Sequence, residues 1–99
     1  MRSLLLFTAA RIYAARGVDS SAIGLWRRIV EQDKDTPEAP QSELEWARLL
    51  RRKGDNGAAA ARLEHLILTF PESSLVPQAR RELDVVRSAV PSRVGPGLR

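Results

Sequence analysis

Apolar residues recur along this chain at intervals of three and four, and Gly or Pro interrupts them at regular places, which predicts a succession of short amphipathic helices. Residues 2–16 lack Gly and Pro and carry Leu5, Ala9, Ile12 and Tyr13 at helical spacing, with Gly17 as the stop. Asp19 and Ser20 are N-cap candidates for a helix over 20–33, whose apolar face is Ala22, Trp26, Ile29 and Val30. Lys34-Asp35 closes this first hairpin, and Thr36-Pro37 opens a helix over 37–53 with Leu44, Trp46, Ala47, Leu49 and Leu50 apolar, ending at Gly54. Asp55-Asn56-Gly57 predicts a tight turn, and residues 58–69 a helix burying Ala59, Leu63, Leu66 and Ile67 up to the break at Phe70-Pro71. Ser73 and Ser74 are expected to cap a fifth helix running to about Ala89, with Pro77 in its first turn and Ala79, Leu83 and Val86 facing inward. Residues 91–99 hold two Pro and two Gly and read as a flexible tail after a helical domain of 1–90.

The chain also repeats itself at a spacing of 37. That shift places Gly17 on Gly54, Asp19 on Asn56, Ala22 on Ala59, Thr36 on Ser73, Pro40 on Pro77 and Glu45 on Glu82. It also aligns Trp26 with Leu63, Ile29 with Leu66, Ala10 with Ala47 and Ile12 with Leu49. A period in the thirties built from two short helices is the signature of a helical-hairpin solenoid, here about five helices in two and a half repeats.

The series Ala10, Tyr13, Gly17, Ala22, Trp26, followed by Ala47, Leu50, Gly54, Ala59, Leu63, Pro71, resembles the tetratricopeptide repeat (TPR) family. The stretch from Gly54 through Phe70-Pro71-Glu72-Ser73 to Ala79 looks most like repeats of bacterial cell-envelope proteins, such as the Tol-Pal-associated periplasmic protein and the lipoprotein of the outer-membrane barrel-assembly machinery. Two positions depart from the pattern: Lys34 stands where the first unit would close with Pro, and Glu43 is polar four residues before Ala47. The resemblance covers about residues 4–89 and implies an all-α, right-handed, TPR-like solenoid, with periplasm or cell envelope somewhat favoured over cytoplasm. It also implies that the first helix of each pair lines a concave, partner-binding surface. The positions it carries over to that surface include Leu4, Phe7 and Arg11, then Gln41, Leu44, Arg48, Arg51 and Arg52, then Gln78, Arg81 and Val85.

Charge refines this picture without naming a ligand. Sixteen Lys and Arg against twelve Asp and Glu leave a net charge of +4, and only Lys34 and Lys53 are lysines. Arg48, Arg51 and Arg52 share a helix face and suit a carboxylate or an acidic peptide, while pairing of Glu45 with Arg48 and simple solvation is the competing expectation. The doublets Arg27-Arg28 and Arg80-Arg81 and the run Arg51-Arg52-Lys53 raise nucleic acid as a lesser alternative, weakened by interleaved acids and the lack of stacking aromatics.

Other chemistry finds little support. The chain has no Cys and a single His65, which argues against disulfides, zinc fingers and His-based metal clusters. Asp33, Asp35 and Glu38 lack the ligand order of a calcium loop, and the serines lack a nucleophile-elbow context, so neither an enzyme nor a cofactor is expected. His65 reads as an ordinary, partly exposed helix residue. The run from Leu4 to Ala10 after Arg2 is a minimal signal-like segment, but Arg11 and Arg16 follow at once and the repeat register runs through it. No stretch is long enough for an integral membrane span.

The expected function is a non-catalytic protein–protein interaction module or scaffold that binds a peptide or partner segment through Phe7, Arg11, Gln41, Leu44, Arg48, Arg51, Arg52 and Arg81. The alternative is a structural subunit that self-associates, or docks into a larger assembly, through the apolar segment Leu4–Phe7. That uncovered start predicts either a partner or missing upstream repeats, whereas the charged last helix has the dressing of a terminal cap.

Overall fold

In a computed structural model, residues 1–89 are described; the tail expected over 91–99 lies outside them. The described residues form five α-helices: α1 (Arg2–Ala15), α2 (Asp19–Gln32), α3 (Glu38–Arg52), α4 (Asn56–Thr69) and α5 (Val76–Ala89). Each packs on the next in bundle-like fashion, and α1 also reaches α3.

The punctuation acts as its residue types require. Gly17 and Gly54 take φ of 79° and 85°, the left-handed region that a side chain disfavours. At both, the helix ends in the same pair of bonds: Val18 N–H donates to the Tyr13 carbonyl and Gly17 N–H to Ala14, as Asp55 does to Leu50 and Gly54 to Arg51. This Schellman arrangement satisfies carbonyls that the helix end would leave open. The turn after Gly54 is shorter than expected, because the Asp55 carboxylate accepts from Ala58 N–H at 3.2 Å and draws Asn56 and Gly57 into the first turn of α4. At α2, by contrast, Asp19 is not the cap. Val18 holds that position, and Asp19 is the first helical residue.

The core falls into two clusters. Phe7, Ala10, Ala22, Trp26 and Ile29 of the first hairpin pack with Ala39, Trp46 and Leu49 of α3. Leu44, Ala47, Ala59, Leu63 and Leu66 of the second pack with Ala79, Leu83 and Val86 of α5. Helix α3 contributes to both, which explains why it is buried on two sides. One expectation for α1 is overturned: Leu5, Ile12 and Tyr13 lie exposed, and its buried residues are Ser3, Phe7 and Ala10. The helix rests on α2 and α3 through that second face, and none of the described helices lies against the first.

Candidate functional site

A concavity of about 300 Å³ opens where α1, α3 and the approach to α5 meet, lined by Phe7, Arg11, Gln41, Leu44, Glu45, Arg48, Leu75 and Gln78. Five of the eight residues expected to bind a partner therefore converge there: Phe7, Arg11, Gln41, Leu44 and Arg48. Phe7 and Leu44 are largely buried and serve as its floor. This corrects the idea of Leu4–Phe7 as one uncovered segment, since Leu4 and Leu5 are exposed while Phe7 belongs to the core. The Arg11 guanidinium lies 5.9 Å from the centre of the Phe7 ring.

The arginines of α3 divide by environment. Arg48 directs its fork at Glu82 of α5, with Nε 3.2 Å from Oε1 and a terminal nitrogen 2.6 Å from Oε2. Glu45 stands 3.7 Å away on the same helix, so the expected Glu45 partner is present and Glu82 is the stronger one. Hydrogen bonding to Glu82 raises the Arg48 pKa above its ordinary value, partly offset by burial and reinforced by the charges of Glu82 and Glu45. Arg48 is thus held charged in an ion pair that ties α3 to α5. Arg51 and Arg52 are exposed, make no ion pair among the described residues, and line an adjoining concavity of about 430 Å³ with Arg48 and Glu82. Arg81 is exposed on α5 and lines neither concavity.

A second constellation escaped the sequence reading. Glu43, fully buried on α3, is bonded through Oε2 to His65 Nδ1, and its Oε1 lies 3.4 Å from an Arg62 guanidinium nitrogen without accepting a hydrogen bond. Arg62 also lies 4.4 Å over the Trp46 ring, with Arg27 at 5.3 Å on the same ring. Burial lowers the Arg62 pKa, the positive charge of Arg27 lowers it further, and Glu31 opposes both. The signal was present in the repeat: the 37-residue shift places Glu43 on Leu6 and Arg62 on Leu25, replacing an apolar pair by opposite charges. His65 is half-exposed as expected, but its ring is fixed by a buried carboxylate.

Several of the remaining candidates are engaged in structural bonds, whereas Ser42 is buried on α3 with its hydroxyl unpartnered. Asp33 pairs with Arg2, and Glu38 accepts from the Ser3 hydroxyl at 2.7 Å. Ser73 Oγ accepts from Leu75 N–H, and the Ser88 hydroxyl donates to the Val85 carbonyl. Lys53 of the basic run pairs with Asp19, and both tryptophans are buried. Among the described residues, no helix is long and apolar enough to cross a membrane. No family model, curated protein or solved structure matches the chain.

Proposed function

We propose that this chain is a non-catalytic protein–protein interaction module which holds an extended partner segment along the surface shared by α1, α3 and α5. In this reading the five helices are two and a half hairpins of a TPR-like solenoid, and the shared surface is its concave side. The observation that carries the proposal is the concavity with an apolar floor of Phe7 and Leu44 and amide walls of Gln41 and Gln78. An apolar floor gives a side chain somewhere to bury, and amides satisfy the main chain of a bound peptide. Arg51 and Arg52, next to it and without internal partners among the described residues, favour an acidic side chain or a terminal carboxylate. Arg48 supports the wall between α3 and α5 and is not a free fork.

The test is affinity capture from lysate of its own cells with the wild-type chain and an Arg51→Glu/Arg52→Glu variant in parallel. Proteins retained by the first and lost from the second support the reading, and identical sets from both overturn it. A peptide mapped from a captured protein is expected to lose about 1–3 kcal/mol of binding free energy when both arginines become Ala.

A further inference from the structure

A different surface, the outer face of α1, carries an inference independent of the groove. The 37-residue repeat gives each α1 position two counterparts: Leu5 corresponds to Ser42 and Ala79, Ala9 to Trp46 and Leu83, and Ile12 to Leu49 and Val86. In α3 and α5 all six counterparts are buried. Trp46 and Leu49 pack on the hairpin before them, and Ala79, Leu83 and Val86 do the same one repeat later. On α1 Ala9 is partly buried, but the positions on either side of it lie open: Leu5 is 64% and Ile12 50% exposed, against 4% for Leu49 and 1% for Val86. The stripe continues a face that the fold uses twice to receive a helix.

Charge narrows what that helix carries. Lys53, at the C-terminal end of α3, pairs at 2.9 Å with Asp19 in the first turn of the preceding helix. Its counterpart on α1 is Arg16, which is exposed and makes no ion pair among the described residues. Residues 1–18 contain Arg2, Arg11 and Arg16 and no acid; Arg2 is paired with Asp33 and Arg11 belongs to the groove, which leaves Arg16 as the cation of this face. Two α1 faces brought together would set Arg16 against a helix that has no acid to pair with it, so a second copy is the poorer fit. We infer that the Leu5–Ile12 face of α1, bordered by Arg16, is a docking site for an amphipathic α-helix with an apolar stripe and acidic borders.

The probe is a synthetic amphipathic helical peptide with Leu and Ile on one face and Glu along its borders, paired with a counterpart in which every Glu is Lys. Both are titrated into the full chain by fluorescence anisotropy, with backbone amide shifts mapped by NMR. The Glu peptide is expected to bind more tightly and to shift the amides around Leu5, Ile12 and Arg16, leaving those around Gln41 and Arg52 in place. Ile12→Glu weakens it by about tenfold or more, and Arg16→Glu reverses the preference toward the Lys peptide. Both substitutions are at exposed positions, and circular dichroism checks that the helices persist. Equal binding of the two peptides, insensitivity to Ile12→Glu, or shifts confined to the groove overturns the inference. So does sedimentation showing dimers that dissociate on Ile12→Glu, or the wild-type chain binding phosphatidylserine vesicles through this face while ignoring the Glu peptide. Failure here leaves the groove untouched, because Arg51 and Arg52 are not part of this face.

Discussion

The two hairpins solve the same packing problem with different chemistry. In α1·α2, Leu6 and Leu25 are half-buried and packed against the first core cluster. In α3·α4, the residues 37 positions later are Glu43 and Arg62, an ion pair with the carboxylate fully buried and His65 on its other oxygen. The surrounding frame hardly differs: Ala22 matches Ala59, Trp26 matches Leu63, Ile29 matches Leu66, and all six are buried. The frame is therefore set by the small and large apolar positions, and the flanking pair is free to be apolar or ionic. The ionic version is the costlier one to leave incomplete. Burying a carboxylate forfeits its hydration, and Glu43 Oε1 recovers no hydrogen bond in return.

Removing one half of the ionic pair tests this contrast most severely. Arg62→Leu strands the Glu43 charge with only His65 beside it and is expected to lower stability by about 3 kcal/mol, read as a drop in the urea midpoint at unchanged slope. Completing the change with Glu43→Leu/Arg62→Leu copies the first hairpin's chemistry into the second. The double variant is expected to match or exceed wild-type stability, by up to about 2 kcal/mol, because desolvation is removed together with the pair. A double variant as weak as the single one would show that the second hairpin's frame depends on the ion pair. The smallest effect sharpens the likeness instead of the difference. Gly17→Ala and Gly54→Ala meet no neighbouring atoms, so each pays only for a positive φ, about 1 kcal/mol, and the two losses should agree. Unequal losses would mean that one hairpin turn bears a load the other does not.

Much of the helical layout was legible because its signals are local. Gly17 and Gly54 stop helices wherever they stand, and Pro37, Phe70-Pro71 and Ser73 mark restarts, so the helix limits fell within about two residues. The inward faces of α2 and α5 followed from spacing alone, while on α3 spacing found Leu44, Trp46, Ala47 and Leu49 but not the buried Ser42 and Glu43. That of α1 did not: Leu5, Ala9 and Ile12 have the correct period, but period cannot say whether a neighbour exists on that side. Likewise Arg48, Arg51 and Arg52 share a face in sequence, yet only Arg48 meets Glu82, which stands 34 residues away and is brought close by the docking of α5 on α4.

The sequence by itself determined that this chain is helical, where its helices start and stop, and that it repeats at 37, since capping, helix-breaking and amphipathic period act over a few residues. Tertiary structure decided which apolar faces are covered, which arginine of α3 is ion-paired across helices, and that Glu43, Arg62 and His65 form one cluster. Burial and ion pairing depend on where distant segments meet, and the free energy of a charge is set by the neighbours and solvent it finds there.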